Sequence, residues 1–555
     1  MVIKLSANGR LYLYCSVVSI GSFLFGYNFG VISGIVIMPV FAGIDFSLND
    51  IGSLSGSMML GAFFGSLFGG LIADLIGRKQ LMLLSTGIFI FGNIMQVGAD
   101  TFSTLIGGRI VTGFSVGILS MVIPLYQGEL APKNKRGQLI TIYQFAITLG
   151  IGLSYWINFG TVRISSDTSW RLPFGLQLIP CLIFSLCIPL IPESPRYLMY
   201  KNMDKKALET LAKIRGDGTF RHPDVFMEYI SIKQNIAFER RFKNNGNYKR
   251  LFIKGPENNR KRLMIGLLVQ CFQQLVGINI ILMFAPQIMS AAGLGSAYTT
   301  LLANSISGTI NIVMTIPAFF LMDRLSRRII MITGSILCCI FLVIMAILSH
   351  TARFQYKKEI WDQSSTESSQ NDSLGMHEQE KSIMFAFVAM IFLYVAVFAF
   401  TWGPVGWIYP SELYGQGIRA KALSITIAFG WLINYAILQV APVMLDRIHG
   451  RTFIILGCFC AIIALIVYMV FPETQGKSLE EMDLIFGCNI NYFDVNVYHP
   501  QSAQQTISTV EKAYKNDKRM YALNLTGTSN SSTTLAQAAC RTTESIENTS
   551  QTSQV

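Results

Sequence analysis

The side chains in this sequence best suited to bind a ligand are amides that lie inside long apolar segments. Each amide offers hydrogen-bond donors and acceptors, which together suit the hydroxyl groups of a polar, uncharged molecule. An amide in hydrocarbon is costly unless it faces the interior of a helix bundle. The alternative role for such an amide is a hydrogen bond to a neighbouring helix. The amides are Gln144, Gln270, Gln273, Gln274, Asn279, Asn311 and Asn434.

A second group consists of arginines and carboxylates at the ends of the apolar segments. Their charges could form ion pairs that hold a passage shut, although positive charge at helix ends is also an ordinary feature of membrane proteins. They are Asp74, Arg78, Glu129, Arg136 and Glu193, and then Asp323, Arg327, Arg328, Glu412, Arg419 and Glu473. No nucleophile, base or phosphate loop stands in a consistent setting, so we expect neither an enzyme nor a cofactor. The ten cysteines show no spacing typical of a metal site.

The composition is that of an integral membrane protein. Of 555 residues, 51% are hydrophobic and only 14% are charged, and the mean hydropathy is +0.45. Soluble proteins carry about 25% charged residues. These values exclude a soluble enzyme and a disordered chain.

Twelve apolar runs, each long enough to cross a bilayer, divide into two groups of six. We therefore predict an all-α membrane protein with twelve transmembrane helices. The runs are 11–33, 51–73, 81–99, 104–127, 138–160 and 172–191, followed by 263–290, 299–322, 329–349, 382–409, 421–441 and 452–471.

The distribution of Lys and Arg predicts that both termini are cytoplasmic. The loops at 34–50, 100–103 and 291–298 contain neither residue, whereas the alternate loops are basic. The connection 192–262 holds seventeen Lys and Arg against eight Asp and Glu. We attribute this excess to topology and to anionic lipid at the inner leaflet rather than to nucleic acid.

The two groups of six runs carry the same motifs in the same order. DLIGRK at 74–79 corresponds to DRLSRR at 323–328, and PESPR at 192–196 corresponds to PETQG at 472–476. Parallel repeats of this kind are typical of the major facilitator architecture, in which the substrate site lies between the halves near the membrane midplane. We expect a first half at 1–191, a basic linker at 192–262, a second half at 263–483 with an outer segment at 350–381, and a disordered cytoplasmic tail at 484–555.

Eight motifs in this order resemble the sugar porter family of the major facilitator superfamily. The resemblance covers residues 11 to about 483 and implies transport of a monosaccharide, a hexose, by alternating access. The motifs are GGLIADLIGRK (69–79), GGRIVTG (107–113), PLYQGELAPKNKRG (124–137), WRLP (170–173), PESPRYL (192–198), QQLVGIN (273–279), WGPVGWIYPSE (402–412) and PETQGKSLEE (472–481).

The resemblance also implies which residues contact the sugar and which close the inner mouth. It makes the charged clusters above a cytoplasmic gate. Asn434, one turn after Trp431, is a further candidate for contact with the sugar. The contact positions implied are Gln144, Gln273, Gln274, Asn279, Asn311, Trp402, Trp407 and Trp431.

One geometric condition applies to this site. Gln274 and Asn279 are about 140° apart on a straight helix, so they meet only if the helix bends, for which Gly277 is the candidate. Four positions depart from the usual pattern of the family, one of them Ala399, where many animal facilitators have a Glu. Met283 and Phe284 replace a tyrosine pair, and Ser326 replaces a glycine. These departures leave the identity of the sugar open.

The residue at position 28 indicates whether transport is coupled to protons. Proton-coupled members of the family carry an Asp there, paired with the Arg of the fourth span, whereas this chain reads FGYNFG with Asn28. Asn28 and Arg109 lie at about the same depth, roughly 7 Å from the outer ends of their spans, so they could meet. Because an amide does not release a proton, we predict facilitated diffusion. Proton symport through another carboxylate stays an alternative.

The remaining expectations concern the membrane and the tail. A plasma membrane location is expected, with Asn371 in the outer segment as a candidate N-glycosylation site. A sugar sensor that signals through its tail without net flux is the competing class.

Overall fold

Helices account for the secondary structure of the computed structural model, which describes residues 6–42, 48–132, 134–216, 218, 222–240, 248–252, 258–294, 296–351, 378–415, 417–476 and 486. Twelve of its helices are long and apolar enough to cross a membrane, and no strand occurs in this described part. The predicted all-α class with six plus six spans is confirmed. Asn371, nearly all of the outer segment, and the tail beyond residue 486 lie outside the described residues.

The first half contains six membrane helices. Each of them begins a few residues before the predicted apolar run, because polar residues in the first turn continue the helix without adding to the hydropathy. In chain order they are α1 Ala7–Ile35, α2 Leu48–Ile76, α3 Arg78–Val97, α4 Phe102–Leu130, α5 Arg136–Thr161, and α6, which consists of Thr168–Leu176 and Leu178–Cys187.

The second half contains six more membrane helices, of which α7 and α10 are interrupted. They are α7, which consists of Asn259–Leu275, Ile278–Met283 and Ala285–Ala291; α8 Ala297–Leu321; α9 Arg327–Thr351; α10, which consists of Glu378–Phe400 and Trp402–Leu413; α11 Arg419–Ile448; and α12 Arg451–Val470.

The interruption of α10 differs from the single run predicted at 382–409. Thr401 has φ −109° and ψ −86°, outside the helical region. Pro404 has no N–H to bond the carbonyl of Phe400, four residues earlier, so the regular helix cannot pass through this point. The helix that follows the break, Trp402–Leu413, is therefore separate from Glu378–Phe400. It carries two of the predicted contact residues, Trp402 and Trp407.

Four short helices lie in the basic linker, and α7 begins before the linker's predicted end at 262. The guanidinium of Arg10 on α1 donates to the carbonyl of Lys213, 2.8 Å away. Arg215 pairs with Glu228 at 2.6 Å and also donates to the carbonyl of Leu130 at the end of α4. The linker therefore packs against the first half. Its helices are Pro195–Tyr200, Asp204–Arg215, Pro223–Arg240 and Lys249–Phe252.

Two pairs of helices join the halves: α2 packs along α11, and α5 packs along α8. Glycine permits close approach at the second pair, since a Cβ on Gly308 would lie 2.9 Å from the Cα of Gly152. Large apolar side chains such as Leu186 and Ile347 are exposed on the outer faces, as expected where lipid tails surround the bundle. The buried polar side chains, such as Gln144 on α5 and Asn311 on α8, lie inside the bundle.

Candidate functional site

A cavity lies between the two halves. All seven amides identified from the sequence line it, together with aromatic and aliphatic side chains from both halves. None of the described residues that line it is charged. They are Phe25, Phe29, Gln144, Ile147 and Ile151 from the first half, and Gln270, Gln273, Gln274, Ile278, Asn279, Leu282, Asn311, Phe398, Trp407, Ile427, Gly430, Trp431 and Asn434 from the second.

The predicted bend in α7 is confirmed at Gly277. This residue has φ +96°, in the left-handed region that glycine tolerates. Because the helix restarts at Ile278 in a new direction, the amide nitrogen of Asn279 donates to Gln274 Oε1 at 2.5 Å. Because of this bend, Gln274 and Asn279 both line the cavity.

Two buried amide oxygens of the cavity lining have no hydrogen-bond partner among the described residues: Gln273 Oε1 and Asn434 Oδ1. The nitrogen of Gln273 already donates to the carbonyls of Trp402 and Gly403, at 3.2 and 3.4 Å. A buried acceptor left unpaired is costly. These oxygens are therefore suited to accept hydrogen bonds from the hydroxyl groups of a ligand.

Aromatic rings form one side of the cavity. Phe25 lies edge-on to Trp431, with ring centroids 5.1 Å apart, and to Trp407 at 6.4 Å. Polar contacts across the halves hold both indoles, since Trp407 Nε1 donates to Gln144 Oε1 at 3.1 Å and Trp431 Nε1 donates to Ser120 Oγ at 3.0 Å. The rings offer an apolar surface beside the amides.

Trp402 differs from the other predicted contact residues because it is not among the residues that line the cavity. Its side chain is fully buried, and its indole N–H donates to Ser335 Oγ at 2.9 Å. The break at Thr401 turns the ring toward α9. Only the backbone carbonyl of Trp402 supports the site, by positioning Gln273.

The resemblance gave no contact role to several residues that line the cavity, including Gln270, one of the seven amides recognised from the sequence. Helix geometry would have added Gln270 to the contacts, because it lies four residues before Gln274 and so on the same helix face. Its nitrogen donates to the carbonyl of Gly406 at 2.8 Å. Phe25, Phe29 and Phe398 carry no such signal, since an apolar residue in an apolar segment has no sequence feature that distinguishes a cavity wall from lipid contact.

Asn28 and Arg109 lie together, as their predicted depths allow, but the contact is through the backbone. Arg109 Nη1 lies 3.5 Å from the carbonyl oxygen of Asn28, and Nε donates to the carbonyl of Leu54 at 3.0 Å. The side chain of Asn28 donates instead to Gln177 Oε1 at 2.8 Å. In the described part of the chain, no carboxylate pairs with Arg109.

Four predicted gate residues form the first-half cluster: Asp74, Arg78, Glu129 and Glu193. The guanidinium of Arg78 contacts both carboxylate oxygens of Glu129, at 2.9 and 3.1 Å, and lies 3.4 Å from Asp74. Glu193 has a different role, because it accepts the backbone N–H groups of Arg78, Lys79 and Ser194. It anchors the start of α3 rather than forming a direct ion pair.

Their counterparts form the second-half cluster: Asp323, Arg327, Glu412 and Glu473. Arg327 contacts Asp323 at 3.3 Å and Glu412 at 3.5 Å. Asp323 also crosses to the first half, where it accepts the backbone N–H groups of Gly137 and Gln138 at 2.8 and 2.9 Å. These groups belong to the first turn of α5, where helix N–H groups have no partner within the helix.

Three further predicted gate residues surround the clusters. The charge of Arg136 acts on Glu412, and that of Arg419 acts on Glu129, so each arginine acts across the halves. Arg328 differs from the prediction: its backbone N–H donates to Glu473, but its guanidinium donates to the carbonyl of Tyr468 and lies over the Tyr468 ring. It forms no carboxylate pair with the described residues, because its guanidinium points toward Tyr468 on α12.

The two loop glutamates differ in acidity. Burial raises the pKa of Glu193, although the backbone N–H groups of Ser194 and Lys79 and the charge of Arg78 act in the opposite direction. Burial also acts to raise the pKa of Glu473, but the Ser326 hydroxyl and the N–H groups of Gln475, Arg328 and Arg327 lower it overall. The second-half carboxylate is therefore the better stabilised anion.

Comparison with known proteins identifies what the chain resembles. Residues 14–486 match the family described as "Sugar (and other) transporter". The high glucose sensor of Saccharomyces cerevisiae is 33% identical over 84% of this chain, which spans only 60% of the sensor's length. High-affinity glucose transporter 1 of Candida albicans is 33% identical over 86% of each chain.

A solved structure agrees with these matches. The proton:xylose symporter XylE of E. coli, bound to 6-bromo-6-deoxy-D-glucose, superimposes with a TM-score of 0.71 at 27% identity. The superposition covers 86% of this chain and all of that one. The similarity therefore extends across both halves and includes the helices that line the cavity.

Proposed function

This chain belongs to the sugar (and other) transporter family, and on that premise we propose that it moves a hexose across the membrane by facilitated diffusion. The observation that carries the proposal is the cavity between the halves, with seven amides, a wall of aromatic rings and no charged residue among those that line it. Amides match the hydroxyls of a sugar, and aromatic faces match its C–H surface. The names of two relatives mention glucose, which favours a hexose as the substrate.

The proposed contacts are the lining residues with free hydrogen-bonding capacity and the indoles beside them. Gln273 and Asn434 would accept sugar hydroxyls through their unpaired oxygens. Trp402 would not contact the sugar itself; its backbone carbonyl accepts a hydrogen bond from Gln273 and so positions that side chain. The proposed contact residues are Gln144, Gln270, Gln273, Gln274, Asn279, Asn311, Trp407, Trp431 and Asn434.

Facilitated diffusion is favoured by the positions of the carboxylates. In the described membrane helices, each Asp or Glu lies within three residues of a helix end, as Asp74, Glu129, Glu412 and Asp446 do. Asn28, beside the buried Arg109, has no proton to exchange. A proton-coupled carrier needs a group near the substrate path whose charge changes with protonation.

The orientation of the protein in the membrane is inferred from the arginines at the helix ends. Arg78, Arg136 and Arg327 begin α3, α5 and α9, so these helix ends would face the cytoplasm, as would both termini. The cavity then opens alternately to each side as the halves rock. We place the protein in the plasma membrane, with the segment that contains Asn371 outside the cell, where this residue would accept an N-glycan.

Uptake of radiolabelled hexose into proteoliposomes that hold a luminal pH dye tests this proposal. We expect saturable uptake with no luminal acidification and no loss on addition of an uncoupler. Gln274→Ala should reduce uptake at least tenfold. The matched control is Gln96→Ala, because Gln96 is a buried membrane amide bonded to Thr112 at 2.7 Å and does not line the cavity. Uptake coupled to proton entry would contradict facilitated diffusion.

A second candidate, a sugar sensor, is favoured by the match to a glucose sensor. A sensor would bind sugar in the same cavity without carrying it through. If purified protein binds hexose and Gln274→Ala abolishes that binding, yet proteoliposomes show no flux, the sensor replaces the transporter.

A further inference from the structure

The interrupted helix α7 presents two backbone carbonyls that are bound by different halves of the protein. The first belongs to Val276, immediately before the break at Gly277, and it accepts the hydroxyl of Tyr394 at 2.8 Å. Tyr394 lies on α10, in the same half. The second belongs to Leu282, and its partners come from the opposite half.

Proline explains why the Leu282 carbonyl is available. In a continuous helix this oxygen would accept the N–H of the residue four positions later, which is Pro286. Proline has no N–H. The oxygen instead accepts the hydroxyl of Tyr155 on α5 at 2.8 Å and that of Ser33 on α1 at 3.1 Å.

We propose that Tyr155 and Ser33 are positioning residues that form a latch on the outer side of the cavity, closing it by binding the carbonyl that Pro286 leaves free. This inference rests on the proposed transport function. Tyr155 and Ser33 lie near the ends of α5 and α1 that are opposite to the charged clusters. The latch therefore joins the halves on the far side of the cavity from Asp323.

Gly277 forms a hinge at the inner end of the segment that carries Leu282. Segment 278–283 follows Gly277, whose left-handed backbone interrupts the helix, and the Tyr394 contact fixes the inner end of the segment to its own half. Met283 and Phe284 are buried but have no hydroxyl group, so the hydroxyls that hold the segment come from the first half. In the described part of the chain, the hydrogen bonds between segment 278–283 and the first half are those of Tyr155 and Ser33, so separation of the segment requires the loss of these two bonds and of apolar packing against α1.

The same segment carries a cavity residue. Asn279 bonds Gln274, and Leu282 lines the cavity next to the latch. Release of Leu282 would therefore move Asn279 relative to Gln274. Closure of the outer mouth and assembly of the amide site become one event, because both depend on the position of segment 278–283.

Tyr155→Phe tests the latch, because it removes the hydroxyl and keeps the ring. The matched control is Tyr27→Phe, since Tyr27 is equally buried and its hydroxyl donates to the Pro173 carbonyl at 2.9 Å, within the first half. In proteoliposomes of known orientation, we expect Tyr155→Phe to raise the ratio of outer to inner apparent affinity about fivefold, as loss of one hydrogen bond predicts. Ser33→Ala should shift it in the same direction.

The ratio should be unchanged in Tyr27→Phe. An equal ratio in Tyr155→Phe and Tyr27→Phe, with wild-type transport intact, would overturn the latch but not the transport function. Absence of transport in the wild type would instead refute the proposed function.

Pro286→Ala provides a second test, since it restores an N–H that can bond Leu282 within the helix. It should also raise the outer-to-inner ratio, although the variant removes no group from the first half. Combined with Tyr155→Phe, the two effects should be less than additive, because both act on one carbonyl. Full additivity, or a Pro286→Ala ratio equal to that of the wild type, would contradict the mechanism.

Discussion

The first-half and second-half clusters at the inner ends of the helices derive from the same repeated motif, yet their ionic contacts differ. Arg78 forms a two-point contact with Glu129, whose side chain is fully buried. Arg327 contacts Glu412 at 3.5 Å through one nitrogen. Two parallel hydrogen bonds between guanidinium and carboxylate are stronger than one long contact. The first-half cluster is therefore the tighter of the two.

The second-half cluster joins the halves by hydrogen bonds, whereas the first-half cluster interacts with the other half through the charges of Lys421 and Arg419. Asp323 accepts two backbone N–H groups at the start of α5, whereas the described partner of Asp74 is Arg78 on its own side. A carboxylate at a helix N-terminus is favourable because the N–H groups and the helix dipole both attract it. The hydrogen bonds of Asp323 therefore join the two halves directly, which is what we expect of a gate at the inner mouth.

The loops beside the clusters differ by one residue. Gly77 has φ +97°, and a Cβ there would lie 2.5 Å from a carboxylate oxygen of Glu193. Ser326 occupies the corresponding position without a positive φ, and its hydroxyl donates to Glu473. The departure from glycine that the sequence shows has therefore added a hydrogen bond to the second half.

The largest predicted difference is in stability. Arg78→Ala would leave Glu129 buried without its main counter-charge, so we expect a loss of about 3 to 5 kcal/mol in the free energy of unfolding. Arg327→Ala should cost clearly less, because Arg327 contacts Glu412 only at 3.5 Å, whereas Arg78 makes two hydrogen bonds to Glu129. Denaturant unfolding in detergent measures both. Equal losses would show that the two clusters are equivalent.

The second prediction concerns the inner mouth. Asp323→Ala and Asp74→Ala each remove a pair with an arginine four residues away. Asp323→Ala also removes two described hydrogen bonds between halves, whereas Asp74→Ala removes the attraction to the charge of Lys421 in the second half. We expect Asp323→Ala to increase the inward-open population about tenfold or more, since hydrogen bonds to charged groups contribute about 1.5 to 3 kcal/mol each. Asp74→Ala should change it less than about threefold by the same reasoning. The ratio of inner to outer apparent affinity is the measurement, and the reverse order would reassign the contact between halves to Asp74.

The third prediction concerns the two loop residues, Gly77 and Ser326, when each is replaced by the residue found at the other position. Gly77→Ser should destabilise the protein by about 2 kcal/mol, because it places a side chain at positive φ and against Glu193. Ser326→Gly removes one hydroxyl bond and should cost about 1 kcal/mol. Thermal unfolding of the two variants compares them directly. A larger loss in Ser326→Gly would mean that the Glu473 contact dominates.

The smallest effect should appear in the pH dependence of stability. The pKa of Glu193 is raised by folding, so its contribution increases stability as pH falls through that raised pKa. The pKa of Glu473 is lowered, so its contribution is present above its unfolded value and is lost as pH falls through the folded one. Glu193→Gln and Glu473→Gln should therefore change the slope of melting temperature against pH in opposite directions. Slopes that change in the same direction would contradict the difference in acidity.

Much of the fold was predictable because it rests on local pattern. Apolar runs of membrane length predicted twelve spans, and repeated motifs predicted two halves. The seven amides were recognisable because a polar group in an apolar segment requires a partner. Trp402 was assigned to the cavity and lies outside its lining, because its direction depends on the break at Thr401 and on the position of Ser335.

The sequence by itself determined the number of spans, the repeat and the set of polar groups available to a ligand, since hydrophobicity and residue type are properties of each position alone. Only the tertiary structure decided which carbonyl, hydroxyl or N–H each group meets across the halves. Asp323 at the start of α5 and Leu282 beneath Tyr155 are contacts between residues more than a hundred positions apart. Such pairs depend on how the helices pack, and helix packing is set by the whole bundle rather than by any one segment.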